Sequence, residues 1–327
     1  MAGGISSFRG IKGVLPGHSV SREGLTGVSL FVFPEGASGA VSVNGFASGT
    51  RQIDSLFPHH TVDRIHGILI SGGSIFGHES ASPVVKTLSR EKIGLDTGTL
   101  YLPVVPGGVI FDLSFPENRE VDFMALGEDA VADALSDRGG EKCQGAGAGA
   151  TVGNLKGLEY ATKTGRGSSI REVSGYHVGV MVILNAFGDV LNDSGKTVAG
   201  LRKEEGAEFS DTCAHFRQGF TREPFLTDEN TTITLVATDG AMSRKDLGIV
   251  AKMTHTVLAR YIRPYGSLFD GDTIFAVSTG KSKPVENLMQ FATVTGAILY
   301  DALMDAVFSA ESAGGVPCGR EMKKRGG

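Results

Sequence analysis

The chain has 327 residues, 41% apolar and 20% charged, enough for a sizeable core and incompatible with global disorder. A formal net charge of -5 argues against a nucleic-acid binder, which needs a basic face. The 47 glycines cluster without a period, which excludes collagen and points to tight turns in an α/β protein. Residues 1–25 read as a glycine- and serine-rich entry segment. A strand is expected over 27–34, ended by Pro34 and Gly36, with 40–43 as its antiparallel neighbour in a hairpin. A polar loop, 46–58, precedes a short buried strand at 66–70. That strand runs into the glycine turn Ser71-Gly-Gly-Ser-Ile-Phe-Gly77 and then a helix over 79–90. Residues 101–113 read as strand, kink, strand, and 121–136 as a helix stopped by Gly139 and Gly140. A glycine-rich connection spans 144–157. An apolar central strand, 176–184, ends at Asn185, and a long charged segment, 200–230, leads to a strand beginning at Thr231. Ser243 caps a helix that runs to about Arg260, a strand at 273–278 follows Asp270-Gly271-Asp272, and the last helix covers about 285–312.

Two glycine runs invite a phosphate-binding reading, and neither meets the requirement. Gly145 to Gly149 has no clear strand before it, and Gly280-Lys281-Ser282 has Phe275 where a P-loop needs its first glycine. Cys143, Cys213 and Cys318 match no zinc or redox spacing and fit a reduced, cytosolic setting. No signal-like N-terminus is evident and no run reaches about 18 apolar residues, so neither leader nor membrane span is expected. The basic tail 323–325 reads as a solvated end.

Chemistry concentrates where the polar segment 226–230 meets the strand. A hydroxyl residue standing there is ordinarily a turn followed by a strand start. If the Asn230–Thr231 bond were cut by the protein itself, Thr231 would carry a nucleophilic hydroxyl and a free α-amine to activate it. Asn230-Thr231-Thr232 also fits a glycosylation sequon, for which no secretory segment speaks. Asn185 is either an Asx turn or an amide N–H turned into a site. Asp270 and Asp272 share a strand face. They read as a glycine-flanked turn, as part of a metal site with Asp239, or as the carboxylates that fix an N-terminal amine.

The spans Asn230-Thr-Thr-Ile-Thr, Phe269-Asp-Gly-Asp-Thr-Ile-Phe-Ala-Val-Ser-Thr-Gly and Leu184-Asn-Ala-Phe-Gly-Asp resemble the P1 family of self-processing aminopeptidases. So do Ile70-Ser-Gly-Gly-Ser-Ile-Phe-Gly, Val105-Pro-Gly-Gly-Val-Ile-Phe-Asp-Leu and Gly145-Ala-Gly-Ala-Gly-Ala-Thr-Val-Gly, in the family's order. The likeness is greatest to the branch of 6-aminohexanoate-oligomer (nylon oligomer) endohydrolases, where threonine follows asparagine. It implies a four-layer α/β/β/α sandwich of the N-terminal-nucleophile type, and one catalytic domain, 1–327, processed into 1–230 and 231–327. It implies hydrolysis of short peptides, β-amino-acyl amides or nylon oligomers through an acyl-enzyme on Thr231, with no cofactor or metal, and tetramers of processed protomers. By the same resemblance Asn185 helps hold the oxyanion and Asp270 and Asp272 order the nucleophile, Asp270 nearer the amine. The branch has a tyrosine where Phe111 stands and a lysine where Asn154 stands, leaving Lys156 and Lys163 as candidate cations. An ornithine-acetyltransferase-like acyltransferase and an uncleaved, non-enzymatic member of the fold are the alternatives.

Overall fold

The computed structural model describes residues 7–137, 139, 143–203, 208–221 and 230–325. The segment 226–229, part of the 200–230 loop, and the glycine stop at Gly140 therefore lie outside the described residues, as do the side chains of the tail 323–325.

The architecture depends on one strand. Leu15–Val20 (β1) pairs antiparallel with the first half of Gly27–Val43 (β2), a strand of 17 residues. The predicted stop at Pro34 and Gly36 does not end it. The chain runs on through an irregularity in its pairing between Val32 and Ala37, and 40–43 continues the same strand instead of folding back as a hairpin. Proline is tolerated there because the irregularity relieves it of a ladder hydrogen bond. The first half of β2 joins Ile65–Ser71 (β4), then Gly107–Val109 (β5) and Gly49–Arg51 (β3). The second half pairs with Thr273–Ser278 (β9), which lies parallel to Thr231–Thr238 (β8); Tyr176–Asn185 (β7) and Arg166–Val173 (β6) complete the order. The hairpin between β6 and β7 turns through Ser174 and Gly175, both at positive φ.

The two halves fold against each other. Phe31, Phe33, Ile68, Ile70 and Ile110 from one half interlock with Met181, Ile183, Ile233, Leu235 and Phe275 from the other. The outer face of the first half carries Ala81–Arg90 (α1) and Phe123–Leu135 (α2), packed through Val84, Leu88, Leu126 and Ala130. The outer face of the second carries Arg244–Tyr261 (α4) and Leu288–Phe308 (α5). The result is the expected α/β/β/α sandwich. Its strands read as nearly unbroken apolar runs because both sheet faces are covered.

Between β7 and β8, Thr212–Arg217 (α3) lies inside what reads as an irregular loop, capped by Asp211. Gly319–Arg325 (α6) forms at the end. By length and mean composition α5 could cross a membrane, though its threonines and Asp301 and Asp305 keep it from being an unbroken apolar run. Its Ile298, Leu299, Ala302, Leu303 and Ala306 are buried in the core against β7. Its bounds are narrower than expected because Asn287 caps it and Ser309 ends it. The three cysteines are free thiols.

Candidate active site

β8 is buried along its whole length, flanked by β7 on one side and β9 on the other. Register places Thr231 opposite Asn185, so the hydroxyl residue and the amide predicted from separate stretches meet at one end of the sheet. Just before the strand, Asn230 bridges to Asp270 in parallel. Its N–H donates to Phe269 O at 2.8 Å, and its carbonyl accepts from Gly271 N–H at 2.7 Å. That carbonyl belongs to the Asn230–Thr231 bond.

Gly271 is the residue that sequence reading passed over. The signal was present as a glycine held between two aspartates. A Cβ at Gly271 would stand 2.6 Å from Ala47 O, 2.7 Å from Thr231 Oγ1 and 2.8 Å from Ser48 Cα. No side chain fits, and the space is taken by the threonine hydroxyl and the chain crossing behind it.

The two carboxylates sit beneath this point, each 1% exposed. Asp270 accepts at Oδ1 from Phe187 N–H at 3.0 Å and at Oδ2 from the N–H and hydroxyl of Ser267. Asp272 accepts at Oδ1 from Thr232 N–H at 2.8 Å and at Oδ2 from Gly266 N–H at 3.0 Å. Asp272 thus grips the residue after the candidate nucleophile, and Asp270 grips the turn after Asn185. Burial pushes Asp270 up to about 6. Burial and then the charge of Asp270 push Asp272 well above the usual carboxylate range. The pair therefore resists carrying two negative charges near neutral pH. The loop donating to both is fixed at Tyr265, whose hydroxyl bonds His255 Nδ1 at 2.7 Å while His255 Nε2 reaches Ser42 O at 3.1 Å.

The Asn185 amide is anchored at both ends. Oδ1 accepts from Thr151 N–H at 3.1 Å and Nδ2 donates to Phe111 O at 3.1 Å. Phe111 thus enters through its backbone. Asn154, which stands where the resembled branch has lysine, donates from Nδ2 to Asn230 Oδ1 at 2.6 Å. Lys163 is buried and donates to Ala150 O and Thr164 O, 3.0 and 2.5 Å away. Burial lowers its ammonium to about 7, against the attraction of Asp112. It ties Ala150 of the glycine-rich segment to Thr164 and reaches none of Thr231, Asp270 or Asp272 by a hydrogen bond. Lys156 is exposed and lies over the Tyr160 ring, 5.8 Å from its centre. Asp239, the third carboxylate of a metal reading, is at the far end of β8, where it accepts from His177 and Lys12 N–H. It does not join Asp270 and Asp272.

The layering is that of an α/β/β/α sandwich of the N-terminal-nucleophile hydrolase fold, with Thr231 at the head of a central strand beside the buried Asp270 and Asp272. A solved structure of that fold, the L-aminopeptidase D-Ala-esterase/amidase of Ochrobactrum anthropi, superposes with a TM-score of 0.65 at 16% identity, over 94% of this chain and 87% of the other. The chain belongs to peptidase family S58, whose model matches residues 8–318. It is 34% identical to an uncharacterised aminopeptidase of Mycobacterium leprae, over 98% of this chain and 95% of that one. It is 29% identical to the 6-aminohexanoate-oligomer endohydrolase of Paenarthrobacter ureafaciens, over 91% of this chain and 84% of the other. These relatives place the chain in the family and not in one branch of it.

Proposed function

We propose that the protein is a self-processing amide hydrolase that cuts its own Asn230–Thr231 bond and then uses Thr231 as an N-terminal nucleophile. The observation that carries this reading is the 2.7 Å hydrogen bond from Gly271 N–H to the Asn230 carbonyl, with Thr231 Oγ1 against the same glycine. A carbonyl polarised by a fixed donor, beside a hydroxyl with little room to move, is primed for attack. Thr231 Oγ adds to the Asn230 carbonyl carbon and its proton passes to a base. The C–N bond breaks as the nitrogen takes a proton, which leaves an ester. Water then splits the ester into an Asn230 carboxylate and a free Thr231 amine and hydroxyl.

The pieces 1–230 and 231–327 do not part, because β8 and β9 of the second lie between β7 and β2 of the first. On a substrate amide, the amine of Thr231 takes the hydroxyl proton, the acyl group moves to Oγ, and water releases it. Asn185, with one hydrogen of Nδ2 committed to Phe111 O, has its second hydrogen for the oxyanion, and Gly271 N–H is the backbone donor. Asp270 and Asp272 hold the turn and strand on which these groups stand and balance the ammonium form of Thr231. Lys163 acts from behind, through the segment carrying Asn154, and Lys156 has no role in this scheme. Short peptides, β-amino-acyl amides and 6-aminohexanoate oligomers are the substrate classes, the last named for its endohydrolase relatives. Tetramers of processed protomers in the cytoplasm complete the reading. The test is amine release from a panel of these amides by the wild type and Thr231→Ala. Hydrolysis lost in the variant supports it, and equal hydrolysis by both overturns it.

A further inference from the structure

We propose that the pocket holding the Asn230 side chain is the acyl-residue pocket of the finished enzyme, and that it selects a carboxamide: substrates with asparagine before the broken amide. This rests on the self-processing reading, in which Asn230 is the first acyl group Thr231 carries. A substrate then inherits the contacts of residue 230. Two of these, to Phe269 O and from Gly271 N–H, involve backbone alone and read no side chain. The side chain of residue 230 is read by the 2.6 Å bond from Asn154 Nδ2 to Asn230 Oδ1.

The Asn154 amide cannot be turned over freely. Its Oδ1 accepts from the Thr151 hydroxyl at 3.1 Å while Nδ2 also reaches the Thr151 carbonyl at 3.5 Å, an oxygen that only accepts, and this orients Nδ2 toward the pocket. The acyl side chain must therefore offer an acceptor, which both a carboxamide and a carboxylate do. The rest of the wall separates them. Asp112 lines the same pocket and is 2% exposed; Gly73 N–H donates to its Oδ1 at 2.7 Å and the Thr26 hydroxyl stands against its carboxyl, which leaves it further acceptor capacity. A second carboxylate brought beside it meets like charge, while an amide NH2 meets an acceptor. Size is limited as well. Phe111, Phe115 and Leu158 line it together with Ser114, Gly149 and Thr151, and among the described residues the space left beside Asn230 is about 10 Å³, no more than a water's. A side chain one methylene longer would have to displace part of this lining, which disfavours it. Asn154 is thus a specificity-determining residue that touches the acyl group.

The experiment compares processed wild type on the p-nitroanilides of Asn, Asp, Gln and Leu with the self-cleavage rates of Asn230→Asp, Asn230→Gln and Asn230→Leu precursors. Both series should rank alike, with asparagine first by at least about tenfold. Asn154→Leu and Asn154→Asp should flatten the preference for the Asn substrate. Wild type that hydrolyses the Leu or Asp substrate as fast as the Asn one overturns the inference, as does a preference unchanged in both Asn154 variants. Failure of the self-processing reading shows separately, as wild-type protein with no chain beginning at Thr231.

Discussion

Replacing Gly271 by alanine perturbs the candidate site at one atom. The new Cβ would lie 2.6 Å from Ala47 O and 2.7 Å from Thr231 Oγ1, well inside contact distance. Neither neighbour yields easily. Ala47 N–H is tied to Asp270 O at 2.9 Å, and Thr231 begins a strand paired on both sides. Relief requires either displacing the threonine hydroxyl or pulling Gly271 N–H off the Asn230 carbonyl. Overpacking of this kind costs about 1–3 kcal/mol of stability. Loss of a fixed donor to the developing oxyanion costs about 100- to 1000-fold in rate, about 3–4 kcal/mol of barrier. The assay follows conversion of the 34.2 kDa chain into two pieces by denaturing mass spectrometry. Gly248→Ala, on α4 with its nearest neighbour 4.0 Å away, serves as control and should process normally. Gly271→Ala that folds and processes at the wild-type rate would refute the role given to this glycine.

Three further outcomes follow from the buried charges. Self-cleavage should slow as pH falls below about 6, where Asp270 takes up a proton, and Asp270→Asn should remove that step; a flat profile in the wild type would count against it. Lys163 has a folded-state value of about 7 against an ordinary 10.5. The unfolded chain therefore binds more protons between those values, and stability should rise with pH across that window, by up to about 1.4 kcal/mol per unit. Denaturant midpoints for wild type and Lys163→Met check this, and the rise with pH should be lost in the variant, where the opposing contribution of the part-buried thiols of Cys143 and Cys213 remains. Asp189 accepts from Leu201 N–H, Thr212 N–H and the Thr212 hydroxyl. Asp189→Ala strands those donors and should cost on the order of 3 kcal/mol, seen as a lowered Tm. An unchanged Tm would deny that this side chain anchors the start of α3.

Much of the layering was legible because covered sheets write themselves as apolar runs. The stretch from Tyr176 to Leu184 and the one from Thr231 to Thr238 both read as strands and are strands. Pro34 misled because its local meaning, a strand end, was overridden by a break in pairing that lets β2 serve both sheets. β6 went unread because its Arg, Ser and Glu residues give weak alternation, and α3 because six residues carry too little periodicity. Thr231, Asn185, Asp270 and Asp272 could be nominated from residue type and position, and register brings them to one sheet end. The function of Gly271 lies in a backbone N–H, which no side-chain pattern announces. The bond from Asn154 to Asn230 joins residues 76 apart, so neither could be read from its own neighbourhood.

The most direct test is N-terminal sequencing of freshly purified, catalytically active protein. The account requires a second chain starting Thr-Thr-Ile-Thr, in equal amount to the chain from Met1 or its trimmed end. Active protein with a single N-terminus and an unbroken Asn230–Thr231 bond would contradict it.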